Sequence, residues 1–322
     1  MALVGSFVTP HPAIIVPEVG GKELARAEST VQAMLDAGQR CQELQPDTIV
    51  LLSPHAPISR KQMGISLAAA YYGSFAQFRA PQVKLCADGD QEVAEGIVDA
   101  AREQGIPVKP MASPGEVMEL DHGSIVPLYY LAPNLLSILN CPTIQGENLD
   151  PTSGKQKPGN SSTTLEPNTT KRQEGDTNNC GTQSPQLVIL AFSSLSLEQH
   201  IDFGEIMGNV LISSPRRIVY VASSDLSHRL LLEGPYDYDP SGPEFDQAVT
   251  NSFAAGDWEN LVSIDQNTVR CAGECGYRSL SVLRGVIKAA QLAGLQTQNH
   301  LLSYEGPFGV GYMVGAVAIG SV

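Results

Sequence analysis

The sequence has no apolar stretch of the roughly 18 residues that a membrane-spanning helix needs. No basic region precedes an apolar run at the N-terminus, so a signal peptide is not indicated and we expect a cytoplasmic protein without a membrane partner. Basic residues are scarce, because 20 Lys and Arg stand against 34 Asp and Glu, giving a formal net charge of -14. Such a charge repels phosphate backbones, so nucleic acid is not expected as a partner either.

Several common functional motifs are also missing. The six cysteines have no C-x-x-C spacing, so we expect neither a structural zinc site nor a disulfide framework. No glycine-rich loop is followed by Lys and Ser or Thr, as a phosphate cradle would require. Residues 223–228 contain serine, aspartate and histidine in one short stretch, but the chain has no G-x-S-x-G elbow, which argues against a serine hydrolase.

What the sequence does contain is an alternation of apolar, strand-like runs and amphipathic segments. The runs lie at Leu3–Thr9, Thr48–Ser53, 187–192 and 217–223, and helical periodicity is clearest at 22–44, 91–104 and 277–295. Strands that are apolar at nearly every position are buried on both faces. The pattern therefore predicts an α/β protein with a single wound sheet, mostly parallel or mixed, and helices on both faces.

Residues 146–186 interrupt this alternation. The stretch is rich in Asn, Thr, Gly, Pro and Ser, has no aromatic residue, and has Leu149 and Leu165 as its only large aliphatic residues. Such a segment cannot offset the entropy of ordering by burying apolar surface. We interpret it as a flexible insertion in a single domain that spans residues 1–322.

Histidines give the main indication of function, because three of the six follow strand-like runs. These are His11, His55 and His228. In a wound α/β sheet, residues just beyond the carboxyl ends of the strands converge on one crevice. A fourth, His122, lies in a polar turn where Asp121 could orient it. The remaining two histidines, at positions 200 and 300, are interpreted as ordinary surface or structural residues.

Neutral imidazoles and one carboxylate suit a divalent metal ion, and two histidines with one carboxylate leave coordination positions open on Fe(II). Zinc with a bound water is the alternative. The carboxylate candidate is Glu274, in the loop before the helix at 277–295; its other role would be an acid at the N-terminus of that helix. Cys275, the next residue, could supply a thiolate instead.

The histidines and their neighbours form several motifs in a fixed order, and together they resemble the class III (LigB-type) extradiol ring-cleavage dioxygenase superfamily. The likeness is closest to the LigB-like domain of the AmmeMemoRadiSam group, to which Memo-type proteins are related. It is carried by Thr9-Pro-His-Pro, Ser53-Pro-His-Ala-Pro, Leu120-Asp-His-Gly-Ser, Ala222-Ser-Ser-Asp-Leu-Ser-His, Glu274-Cys-Gly-Tyr-Arg-Ser and Ser303-Tyr-Glu-Gly-Pro-Phe-Gly. Residues 146–186 fall outside the resemblance.

The resemblance implies a LigB-like fold and an enzyme, a non-haem Fe(II)-dependent extradiol dioxygenase. Its substrates would be a catechol-type aromatic and dioxygen. The Fe(II) would be held by His11, His55 and Glu274. His228 would be the active-site base, and His122 would be the second histidine, which can pass a proton during ring opening. Relatives commonly associate, which leaves a homo-oligomer open.

Two other hypotheses remain. One is a Memo-like metal-binding or redox-regulatory protein without ring-cleavage activity, in which Cys275 rather than Glu274 faces the ion. The other is a zinc-dependent hydrolase, although nothing in the sequence specifies a bond to be cleaved. In the dioxygenase that the resemblance implies, Asp121 or Asp225 could orient the rings of His122 and His228.

Overall fold

A computed structural model describes residues 2–136, 184–234 and 236–321. The described residues belong to one compact unit. The insertion predicted at 146–186 lies outside them except for its last three residues, of which Gln186 begins a strand. The prediction of a single domain over residues 1–322 therefore stays a prediction.

The strands of the described chain form two sheets. The larger contains eight strands, namely β1 Leu3–Thr9, β2 Thr48–Ser53, β3 Met63–Ser66, β6 Val108–Ala112, β8 Gln186–Ala191, β9 Ile218–Ser223, β10 Gln296–Glu305 and β11 Tyr312–Gly320. Their spatial order is β10-β11-β1-β9-β2-β8-β3-β6. The four central strands, from β1 to β8, are parallel, and β11 and β3 run antiparallel on either side of them. The sheet is therefore mixed, as predicted.

Helices separate most of these strands along the chain. They are α1 Pro17–Gly20, α2 Glu28–Leu44, α3 Gln91–Glu103, α4 His122–Leu131, α5 Leu197–Ser213, α6 Ser241–Ala255, α7 Trp258–Val262, α8 Gln266–Ala272 and α9 Tyr277–Leu292. The helix predicted at 22–44 begins later, at Glu28, because a 3-10 helix occupies Gly21–Ala27 and Gly21 has a φ of 50°. The helix predicted at 277–295 ends at Leu292, just before Gly294, whose φ is 77°.

Alternate residues of the central strands face two different cores. In β2, Val50 and Leu52 belong to one core, which α3, α5 and α9 cover. Ile49 and Leu51 point the other way, into a core covered by α2 and α4. This period of two, with both faces buried, explains why the strands are apolar at every position. The prediction of helices on both faces is confirmed.

Two features of the described chain differ from the expectations. A second sheet of three strands, β4 Ala70–Phe75, β5 Ala80–Asp88 and β7 Val117–Glu119, accompanies the predicted one. β7 has only three residues, and β5 alternates irregularly between exposed and buried positions, so neither stands out as an apolar run in the sequence. Cys86 in β5 is disulfide-bonded, so a disulfide is present although the sequence indicated no disulfide framework.

Among the described residues, no helix combines the length and the apolar composition needed to cross a membrane.

Glycines let α5 and α9 approach each other closely. A Cβ atom added at Gly204 of α5 would lie 2.0 Å from the carbonyl oxygen of Val282, and one added at Gly285 of α9 would lie 2.0 Å from that of Ile201. Both obstacles are backbone atoms, which cannot move aside as a flexible side chain can. The two helices therefore pack backbone against backbone.

We predict that Gly204→Ala lowers the free energy of unfolding by about 1–3 kcal/mol, because the added methyl group overpacks this contact. Chemical denaturation measures the change. Gly96→Ala in α3 is the matched control, since among the described residues its Cβ would meet one side-chain atom, Val210 Cγ1 at 3.4 Å. The control should keep or raise the stability, by at most about 1 kcal/mol, because Ala favours a helix. Equal effects of the two substitutions would contradict the packing explanation.

Candidate metal centre

The site begins with the register of three parallel strands. Thr9, the last residue of β1, pairs with Ser223, the last residue of β9, and Leu52 of β2 pairs with the preceding Ala222. The three strands therefore end at the same level of the sheet. Two residues beyond these ends stand His11, Asp225 and His55, which all enter the crevice that parallel sheets form at the carboxyl ends of their strands.

Three histidines meet in this crevice. Nε2 of His11 lies 3.1 Å from Nε2 of His55. The ring of His122, the first residue of α4, has its centroid 4.0 Å from that of His55 and 5.8 Å from that of His11. One ring nitrogen from each histidine lies within 4.8 Å of the other two. His11 is buried, whereas His55 is exposed, so the group has an inner and an outer side.

His11 also belongs to a second group of donor atoms. Its Nε2 lies 3.4 Å from Oδ2 of Asp225 and 3.6 Å from Sγ of Cys275. These three residues again offer atoms within 4.8 Å of one another. Oδ1 of Asp225 accepts a hydrogen bond of 2.9 Å from the backbone N–H of His11, which holds the two loops together. Nε2 of His11 is therefore the atom that the two groups share.

Glu274 has a different partner. Its Oε2 accepts a hydrogen bond of 2.6 Å from the backbone N–H of Tyr277, the first residue of α9. This is the helix-terminal role that the sequence left open for it. Burial raises the pKa of the carboxyl group, and the hydrogen bond and the charge of Arg278 oppose that rise. Glu274 belongs to neither donor group of the described chain, and its role as a metal ligand stays a prediction.

His228 lies beside the donor groups rather than within them. Its ring stacks on Tyr236, with centroids 5.4 Å apart and planes at 15°. Its Nε2 is buried and has no hydrogen-bond partner among the described residues. Burial and the charge of His55 both lower its pKa. His200, by contrast, is buried with both ring nitrogens near backbone atoms, which agrees with a structural role.

Burial is the main cause of the lowered pKa of all four site histidines. For His11, the neighbouring imidazoles lower the pKa further. The rings are therefore neutral at neutral pH, which is the form that binds metals. Burial also raises the pKa of Asp225 to about 7 and that of the Cys275 thiol well above its ordinary value. A bound cation would reverse both of these effects, because it favours the anionic form of each group.

The donor spacing fits a transition-metal ion. Bonds of about 2.0–2.1 Å to nitrogen keep two nitrogens roughly 2.9–3.4 Å apart, and a sulfur bonded at about 2.3 Å lies roughly 3.6 Å from such a nitrogen in a tetrahedral site. His11 and His55 are 3.1 Å apart, and His11 and Cys275 are 3.6 Å apart. Imidazole and thiolate donors suit zinc, copper and iron. The residues present therefore fit a metal.

Asp246 of α6 supports the loop that carries His228. Its Oδ1 accepts a 2.8 Å hydrogen bond from the backbone N–H of Ser227, and its Oδ2 accepts one of 2.7 Å from the Tyr304 hydroxyl. The carboxyl group is fully buried, and burial raises its pKa from 3.8 to about 6. At a pH between these two pKa values, Asp246 is deprotonated in the unfolded chain and keeps its proton in the folded protein. The contribution of Asp246 to stability therefore falls as the pH rises.

We predict that the difference in the free energy of unfolding between the wild type and Asp246→Asn depends on pH. From pH 4 to pH 7 the wild type should lose about 2–3 kcal/mol relative to the variant, which has no carboxyl group to titrate at this position. Denaturant titrations at several pH values provide the measurement. Asp202→Asn, at an exposed position of α5, should show the pH dependence of the wild type. A difference between wild type and Asp246→Asn that is constant with pH would contradict the prediction.

The sequence did not predict the roles of two residues in this region. Ser223 entered the prediction only as part of the 223–228 stretch and its motif, and Asp225 entered it there and as a residue that could orient the histidine rings. Asp225 stands two residues beyond the end of β9, as His11 and His55 stand two residues beyond β1 and β2. This common offset was the available signal for Asp225. Nothing in the sequence distinguished Ser223 from the other serines near it.

Comparisons with known proteins agree with the fold. Residues 5–145 and 182–315 match the family model described as the catalytic LigB subunit of aromatic ring-opening dioxygenase. The chain is 29% identical to Protein CA_C1420 of Clostridium acetobutylicum over 98% of its own length and 57% of that protein's, so it spans little more than half of that relative. An uncharacterized protein from Escherichia coli K12, JW3007, has the same fold at 14% identity, with a TM-score of 0.56 and coverage of 98% of this chain and 99% of that one. The chain therefore belongs to the LigB family.

Proposed function

We propose that this protein is a metal-dependent dioxygenase that opens catechol-type rings by extradiol cleavage, with Fe(II) held by His11 and His55. The observation that carries the proposal is the 3.1 Å approach of their Nε2 atoms beyond the ends of β1 and β2. Two neutral imidazoles at this separation suit one ion. Membership of the LigB family supports the reaction class.

The carboxylate of the Fe(II) site is Glu274 in the sequence-based prediction. Its Oε2 accepts the hydrogen bond from the N–H of Tyr277, and Glu274 is not among the donor groups around His11 in the described chain. Asp225 is the carboxylate that already lies near Nε2 of His11, at 3.4 Å. Asp225 could therefore replace Glu274 as the carboxylate that completes the Fe(II) site with His11 and His55.

Bound Fe(II) would supply open coordination positions for a catechol and dioxygen. His228 would take a proton from a catechol hydroxyl, since its ring is neutral and its buried Nε2 has no hydrogen-bond partner among the described residues. His122, whose ring lies beside that of His55, would hold a proton during ring opening. The edge-to-face contact of Phe78 with His122, at 5.9 Å, limits the movement of this ring.

The position of Cys275 favours a second candidate function, a metal-binding or redox-regulatory protein without ring cleavage. Its Sγ lies 3.6 Å from Nε2 of His11, while the neighbouring Glu274 binds the N-terminus of α9. A thiolate is a soft donor, and it selects ions such as Cu(I) and Zn(II). The third ligand therefore separates the two candidates. The zinc-dependent hydrolase stays a prediction.

Ring cleavage can be tested by reconstituting the protein with Fe(II) without oxygen and then adding air and a panel of catechols. We expect oxygen uptake and yellow ring-opened products. His228→Ala should keep its iron and lose about 10²- to 10⁴-fold in turnover, since it removes a proton acceptor. His55→Ala should lose the iron, and His300→Ala, on β10, should match the wild type.

The absence of oxygen uptake across the whole catechol panel would reject the dioxygenase. Equal iron contents in His228→Ala and His55→Ala would contradict the division of roles between these residues, whatever the activities are.

The third ligand can be identified from the metal affinities of two neighbouring variants. If Cys275 is the third ligand, as in the metal-binding or redox-regulatory candidate, we predict that Cys275→Ser weakens Zn²⁺ and Fe²⁺ binding by about 10-fold or more. Glu274→Gln should then leave the affinity unchanged and lower stability by about 0.5–1 kcal/mol, because it removes a charge at the N-terminus of α9. Cys271→Ser is the matched cysteine control. Loss of metal from Glu274→Gln alone would instead assign the ligand to the carboxylate.

A further inference from the structure

Ser223, the last residue of β9, is fully buried and makes two side-chain hydrogen bonds. Its Oγ lies 2.6 Å from the carbonyl oxygen of Gly123 and 3.0 Å from Nδ1 of His11. A serine hydroxyl has one hydrogen, and a carbonyl oxygen can only accept. The hydrogen must therefore point to Gly123. Oγ then has only lone pairs to offer His11, so Nδ1 of His11 must carry the hydrogen of their contact.

The Gly123 carbonyl needs this hydrogen because of a proline in α4. In an α-helix, the carbonyl of residue 123 would accept from the N–H of residue 127. That residue is Pro127, which lies inside the helix and has no N–H. The carbonyl is buried beside the strand ends and would lack its helical partner. The Ser223 hydroxyl donates to this carbonyl instead, so its single hydrogen is not available to His11.

The consequence concerns the other nitrogen of His11. A neutral imidazole with its hydrogen on Nδ1 has its lone pair on Nε2. Nε2 is the atom that faces His55, Asp225 and Cys275. We propose that Ser223 is a positioning residue that fixes His11 in the one tautomer able to bind a metal through Nε2. This inference rests on the proposed metal centre.

One contact of His11 favours the opposite tautomer, with hydrogen on Nε2. Oδ2 of Asp225 lies 3.4 Å from Nε2 of His11 and would attract a hydrogen on that nitrogen. A His11 with hydrogen on Nε2 would have no lone pair there for a metal. Ser223 opposes this outcome from the other side of the ring. Hydrogen-bond partners of ligand histidines typically change metal affinity 10- to 100-fold when they are removed.

A second serine allows the effect on His11 to be separated from general support of the site. Ser53, at the end of β2, donates a 2.6 Å hydrogen bond to Oδ1 of Asp121, which precedes His122. Ser223 holds Gly123, which follows His122. Both serines therefore hold the first turn of α4, but in the described part of the chain Ser223 is the one of the two that is hydrogen-bonded to the ring of His11. Loss of Ser53 should disturb the position of His122 and leave the tautomer of His11 unchanged.

The test uses full-length protein labelled with ¹⁵N-histidine, freed of metal with a chelator and observed by long-range ¹H–¹⁵N NMR. His11→Gln identifies the signals of His11. We expect Nδ1 to be protonated in the wild type and in Ser53→Ala, and Ser223→Ala to shift hydrogen to Nε2 and raise the Kd for Zn²⁺ 10- to 100-fold. Ser6→Ala is the matched control, since Ser6 in β1 is equally buried and its hydroxyl has no partner among the described residues. It should change neither readout.

Hydrogen on Nε2 of His11 in the wild type would overturn the inference, and this outcome does not depend on whether Ser223→Ala folds. The inference is also overturned if Ser223→Ala leaves either the tautomer or the Zn²⁺ affinity of a metal-binding protein unchanged. The proposed metal centre alone would be rejected if the wild type bound neither Zn²⁺ nor Fe²⁺ while Ser223→Ala still changed the tautomer of His11.

Discussion

The candidate site depends on the common register in which β1, β9 and β2 end. Parallel pairing aligns Thr9 with Ser223 and Leu52 with Ala222, so residues at the same offset beyond each strand reach the same level. His55 and Asp225 are 44 and 214 residues away from His11 along the chain, so the pairing of the strands brings the three residues together. A slip of one residue in either pairing would turn the side chains to opposite faces of the sheet. The register of the sheet therefore determines where the site residues lie, and the loops only complete their positions.

Burial and charge explain why these groups tolerate one another. The four histidines are neutral, and burial raises the pKa of both Asp225 and Cys275, so the crevice holds little net charge. A divalent ion bound by the Cys275 thiolate and the Asp225 carboxylate would have its charge balanced by theirs. Because the thiol and any protonated Asp225 must give up their protons first, metal binding is linked to proton release.

The sequence allowed much of the fold to be predicted, because the central strands are buried on both faces and their apolar runs are unmistakable. His11 and His55 could be predicted for the same reason, since each follows such a run. Asp225 follows its strand at the same offset and was weighed only as an orienting group. The sequence could not show whether Glu274 or Cys275 faces the ion, because it does not indicate which way the side chains of adjacent loop residues point. The partnership of Ser223, Gly123 and Pro127 joins distant segments and leaves no periodic pattern.

The backbone contact between α5 and α9 has a mechanical consequence for this crevice. Sliding one helix along the other would bring residues with side chains into the space that Gly204 and Gly285 leave free. The two helices are thus interlocked along their axes, and α9 begins two residues after Cys275. The Cys275 thiol therefore stands just before a helix that cannot slide along its neighbour, whereas the ring of His55, on the loop after β2, is exposed.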